Sequence, residues 1–168
     1  LKALATAAAI AGSTVSANAL TVDWASHGPV EAGSNVVFGN GSPIFDVFTF
    51  TLGSAFNVEA TAISLEGLPV LNITGGMVEL FANDGDLDFT NDSLVNSFAF
   101  DSAQIGFSFG VLSAGSYYYR VTGTVSSLAG SYLLGSDISA VPIPPTLLLL
   151  GTGLLGLAGL RRRRRHAH

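Results

Sequence analysis

Residues 44–52 read Ile44-Phe45-Asp46-Val47-Phe48-Thr49-Phe50-Thr51-Leu52. Side chains of an extended chain alternate between two faces, so Ile44, Phe48, Phe50 and Leu52 share one side, with Asp46 among them. That is the pattern of a strand with one face on a core. The same alternation returns at Ile105, Phe107, Phe109 and Val111. Strand-like runs also cover Val58 to Leu65, Val78 to Ala82, Ser97 to Phe100, Ser116 to Thr124 and Ser131 to Ser139. Turn-forming clusters such as Asn40-Gly41-Ser42, Gly75-Gly76, Ala114-Gly115 and Ala129-Gly130 punctuate them. No helical period of useful length appears between Leu20 and Ala140. Short strands at regular spacing predict an all-β fold, a single antiparallel β-sandwich or jelly roll over residues 20–139.

The two flanks obey different rules. Residues 1–19 carry Lys2, then an apolar segment from Ala3 to Ala11 that is too short to span a bilayer, then Ala17-Asn18-Ala19. Small residues at Ala17 and Ala19 form the small-x-small pattern of an export signal cleaved after Ala19. Residues 140–168 carry Val141-Pro142-Ile143-Pro144-Pro145, an apolar run to Leu160, and Arg161, Arg162, Arg163, Arg164 and Arg165. A helix from Val141 to Leu160 would reach about 30 Å, one hydrocarbon core, but the prolines shorten it to a start near Pro145 or Thr146 and roughly 22–24 Å. Snorkelling arginines and local thinning make up the difference. The positive charge at both ends stays cytoplasmic, which places the intervening domain outside the membrane.

This tripartite tail resembles the PEP-CTERM sorting signal of Gram-negative exported proteins: a proline motif, a short Gly/Leu-rich helix and an arginine cluster. Val141, Pro142, Ile143 and Pro144 stand where that family most often has Val-Pro-Glu-Pro. Arg161 to Arg165 take the place of its stop-transfer cluster. Within the domain, the 44–52 strand resembles the opening motif of the FxDxF type of these proteins, with Ile44 at the first Phe position. Leu112 to Thr124 followed by Gly130-Ser131-Tyr132 is similar to that family's closing hairpin and to bacterial pre-peptidase-type β-sandwiches. The resemblance implies export and processing near the proline motif by exosortase, a membrane transpeptidase-like enzyme. It further implies transient inner-membrane anchoring with the domain in the periplasm, then transfer to the outer surface or exopolysaccharide matrix. It implies no established reaction.

Charge and side-chain inventory narrow the function. The stretch from Asp23 to Asp137 holds twelve carboxylates against one cation, Arg120, a net charge of −11. Nucleic acid would be repelled. The chain has no cysteine, so neither disulfides nor a lipid anchor on cysteine is available. The domain's one histidine, His27, sits beside Gly28-Pro29 and reads as a surface turn residue. Gly110 to Gly115 has one residue too many for a nucleophile elbow and precedes a strand. No cofactor and no catalytic residue is expected, and the chain is not expected to be an enzyme.

Two structural expectations attach to polar residues. Asp46 falls on the apolar face, where an unpartnered carboxylate is costly, and Arg120 is the one cation the domain offers. The two strands are therefore expected to meet and Asp46 to pair with Arg120. Between Asn83 and Asp92, Asp84, Asp86 and Asp88 alternate, an arrangement that can converge on calcium although it lacks the EF-hand glycine and glutamate. A solvated acidic turn explains the same residues.

Two functions remain open. One is a non-catalytic envelope or exopolysaccharide-matrix protein sorted by its tail. The other is an exopolysaccharide-binding module, calcium-stabilised if the acidic loop takes the ion, with Trp24, Tyr117, Tyr118 and Tyr119 as candidate platforms; on a strand Tyr117 and Tyr119 face one way and Tyr118 the other, and a core position is the commoner explanation for such tyrosines.

Overall fold

The chain folds as a two-sheet all-β sandwich. The computed structural model describes residues 19–66, 70–85, 91–103, 105–142, 149, 150 and 152. Among them lie β1 (Thr21–Ser26), β2 (Val30–Phe38), β3 (Pro43–Leu52), β4 (Phe56–Ser64), β5 (Ile73–Asn83), β6 (Ser93–Phe100), β7 (Ile105–Leu112), β8 (Gly115–Val125) and β9 (Ala129–Ala140). One sheet has the order β1-β3-β8-β5-β6 and the other β2-β9-β4-β7. Among these strands every pairing is antiparallel except β1 with β3; outside them, Leu71 forms one isolated parallel bridge with Ala129. The pairing of β1 with β3 departs from the antiparallel expectation. Since β2 lies in the other sheet, the chain leaves and returns before β3, and so runs in the same direction as β1.

The alternation in β3 works as its sequence predicts. Ile44, Phe48, Phe50 and Leu52 are buried in the main core between the sheets, with Val78 and Leu80 of β5, Tyr119 and Val121 of β8, and Tyr132 and Leu134 of β9. One strand departs from the alternation expected of it, and another, outside the runs read from the sequence, turns most of its apolar residues outward. In β2 the parity is inverted: Val30, Val36 and Phe38 are exposed, while Glu31, Gly33, Asn35 and Val37 are half-buried. A Cβ added at Gly33 would lie 2.2 Å from Cε1 of Phe48, so the strand approaches the core through a residue without a side chain. In β7 the expected alternation breaks at Gly110, whose φ of 76° accompanies a register shift against β4. The shift advances the phase by one residue. Leu112 enters the core, and Val111, expected inside, is exposed.

Residues 1–18 and 153–168 lie outside the described residues, and with them Ala17, the arginine cluster and most of the expected membrane helix. Leu149, Leu150 and Thr152 are helical. No helix among the described residues is long and apolar enough to cross a membrane.

The tight seat of Phe48 yields a test. Gly33→Ala should cost about 1–3 kcal/mol by overpacking, measured by urea unfolding. Combining it with Phe48→Leu should recover part of the loss relative to the sum of the single changes. Additive losses would show that the two residues do not compete for the same space.

Candidate functional site

The polar centre of the sandwich is Asp46, which is 1% exposed. Its Oδ1 accepts the backbone N–H of Leu20 at 2.8 Å. Its Oδ2 accepts Asn35 Nδ2 at 2.9 Å and the Tyr132 hydroxyl at 2.6 Å. The donors come from the approach to β1, from β2 and from β9, so one carboxylate ties both sheets together. Burial, and then the neighbouring Asp46 carboxylate, push the Tyr132 phenol far above its usual range, which keeps its proton in place to donate.

The expected Asp46–Arg120 pair does not form. The strands do meet, but Asp46 lies opposite Val121, while Arg120 lies opposite Val47. Cross-strand partners share a face, so the odd offset sends the two side chains to opposite sides of the sheet. On the outer side, Arg120 Nε donates to Glu79 Oε2 at 2.8 Å, and that hydrogen bond raises its already high pKa. The guanidinium lies 4.4 Å from the ring centre of Phe81 and 5.7 Å from that of Phe45. Beneath it is a second small core of Val47, Phe81 and Tyr118. Tyr118 and Phe81 stack at 5.0 Å.

His27 corrects a second expectation. It is buried, at 7% exposure, because β1 ends in a sharp irregularity. Ala25 adopts a φ of 56°, its N–H held by Asp23 Oδ1, and His27 N–H then reaches the Thr51 carbonyl at 3.0 Å. The imidazole packs edge-on against Phe50, 4.9 Å away. Its Nδ1 contacts the Gly28 carbonyl, an acceptor only, so Nδ1 carries the proton. In the neutral ring Nε2 then accepts from Ser136 Oγ at 2.8 Å, which leaves Ser136 Oγ to accept from the Tyr119 hydroxyl at 2.8 Å. A histidine on a serine has the outline of a base and nucleophile. Here Ser136 and Tyr119 are both fully buried, and each hydrogen bond of the chain is internal. No local signal points to Ser136, which lies 109 residues from His27.

The candidate sugar platforms are also interior. Tyr117 is 9% exposed and Tyr118 and Tyr119 are fully covered, while half-buried Trp24 packs on Phe48 at 5.3 Å. In the acidic stretch, Asp86 and Asp88 lie outside the described residues. Asp84 is exposed, and its N–H donates to Asp92 Oδ1 at 3.1 Å. Gly85 N–H donates to Asn83 Oδ1 at 2.7 Å, a local turn. Burial chiefly, and next the Asp92 carboxylate, raise the Tyr118 phenol above its ordinary range. Among the described residues, no group of three or more potential metal ligands occurs. Of the sorting motif, Val141 and Pro142 are exposed just after β9, and Ile143 and Pro144 lie outside the described residues.

No protein-family model and no curated protein matches the chain. Among solved structures, the pre-peptidase C-terminal domain of a collagenase from Bacillus anthracis is similar to it, with 18% identity over 73% of this chain and 97% of that one and a TM-score of 0.48.

The interior and exterior networks should respond differently to mutation. Ser136→Ala strands the acceptor of His27 and the donor of Tyr119 and should cost about 1–3 kcal/mol. Arg120→Met breaks a part-exposed pair and should cost about 1 kcal/mol or less. Chemical denaturation of both variants checks the order; a larger loss for Arg120→Met would contradict it.

Proposed function

We propose that this is a non-catalytic exported protein of the cell envelope or exopolysaccharide matrix, delivered by a cleaved signal at residues 1–19 and sorted through residues 140–168. The observation that carries the reading is the tail: a proline motif, a short glycine-weakened apolar run and five arginines. A run of this kind holds a chain in the inner membrane, and the arginines stop it from sliding through. The fold supports it at one point. β9 ends at Ala140, and Val141 and Pro142 come directly after it and are exposed, so a membrane-embedded processing enzyme would meet the motif without unpicking a strand.

A second reading, exopolysaccharide binding, draws on one observation. Phe45 is 46% exposed, with the Arg120 guanidinium beside it, which offers a sugar both a ring to stack on and hydrogen-bond donors.

Mass spectrometry of the C-terminal peptide tests the sorting reading. The surface or medium fraction should lack everything after roughly Val141 to Pro145. Recovery of Leu147 to Leu160 in that fraction would make the tail a permanent anchor. Retention of the purified domain on the producing cell's exopolysaccharide, lost with Phe45→Ala, would favour the second reading.

A further inference from the structure

Asp46 is a buried carboxylate with three neutral donors and, among the described residues, no cation. Neutral donors satisfy its lone pairs but leave its charge uncompensated in the core. One of those donors is the nitrogen of Leu20, the residue immediately after the small-x-small motif. We propose that cleavage after Ala19 supplies the missing counter-charge: the Leu20 nitrogen becomes the α-ammonium of the mature chain and forms a buried ion pair with Asp46. The inference rests on the proposal that the chain is exported.

The chemistry balances without a further reactant. Hydrolysis breaks the bond between the Ala19 carbonyl carbon and the Leu20 nitrogen. The water oxygen goes to the Ala19 carboxylate, and both water hydrogens go to the nitrogen, which leaves as –NH3⁺. The geometry is already in place on the Leu20 side of that bond. The Leu20 carbonyl accepts Val47 N–H at 2.7 Å, and β1 runs on in register with β3 from Thr21 opposite Val47. Leu20 is half-buried against the main core, whereas Ala19 is exposed. The leaving residue therefore takes no core contact with it, and the atom that gains charge stays 2.8 Å from its partner. Before cleavage the same site holds a neutral amide donor against the carboxylate. The uncleaved chain is accordingly the less stable form.

The chain itself supplies a clean assay. Its single lysine is Lys2, inside the removed segment, so the mature protein has one amine, its N-terminus. The full chain is produced in a Gram-negative host, and the exported form is recovered, its intact mass giving the first residue. It is then labelled at neutral pH with an amine-reactive ester, folded and in urea. A carboxylate at this distance raises an amine's pKa by about 1–3 units, so the folded protein should label about tenfold or more slowly than the unfolded one. Asp46→Asn should remove most of that protection. Because that variant can fail to fold, a chain with one alanine inserted between Ala19 and Leu20 serves beside it: displaced from Asp46, its amine should label near the unfolded rate. Its midpoint should fall by about 5 °C. A mature chain that begins at Leu20 but labels equally fast folded and unfolded overturns the ion pair alone. A chain that begins elsewhere overturns the cleavage reading together with it.

Discussion

A carboxylate between two sheets is tolerable only where every lone pair it turns to the interior is met. Asp46 meets that condition by drawing on three distant parts of the chain, at Leu20, Asn35 and Tyr132. Because the donors belong to the approach to β1 in one sheet and to β2 and β9 in the other, the carboxylate sets how the sheets face each other. Apolar packing tolerates sliding; a three-donor node does not. The inverted β2 is a consequence of this constraint. For Asn35 to reach Asp46, β2 must turn its odd residues inward, and Gly33, two residues earlier, must then face Phe48, where only a glycine fits. The strand accepts exposed Val36 and Phe38 in return.

The domain's single cation lies on the far side of the same sheet. Arg120 caps a small exterior core of Val47, Phe81 and Tyr118, held by Glu79 on the neighbouring strand. Two-sided burial of this kind is why Tyr117, Tyr118 and Tyr119 are all covered although they alternate faces: the first and third enter the main core and the second enters the satellite. A run of three tyrosines on a strand would ordinarily expose at least one. Here the five-stranded sheet is packed on both faces around β8, and Asp92 lies beside Tyr118 on its outer side.

Legibility in the sequence depends on how local each constraint is. The β3 pattern is local, and its core face is legible residue by residue. The meeting of β3 with β8 is legible as well, but the register is not. One residue of offset separates an Asp46–Arg120 pair from the observed arrangement, and no rule of composition fixes that offset. β2 is illegible because its inward residues are mostly polar or glycine, the reverse of what periodicity looks for. The exchange of Val111 for Leu112 depends on the left-handed backbone at Gly110, which breaks the count of two without changing the composition. His27 misleads for a similar reason. Its neighbours Gly28 and Pro29 are turn residues, but the positive φ at Ala25 tucks the turn under the sheet edge, onto Phe50.

The ends of the domain differ in a way that bears on the two proposed cleavages. β9 is interior to its sheet, flanked by β2 and β4, and its last residues pair with the start of β4. Removing the chain beyond Pro142 would leave every one of those hydrogen bonds intact. The N-terminal cut is another matter. β1 is an edge strand that pairs only with β3, and the residue just before it supplies a donor to the buried carboxylate. A cut beyond Pro142 would therefore leave the described pairing of β9 untouched. On the proposal above, an N-terminal cut would instead place a new positive charge 2.8 Å from that carboxylate, so its energetic effect would fall on the core itself.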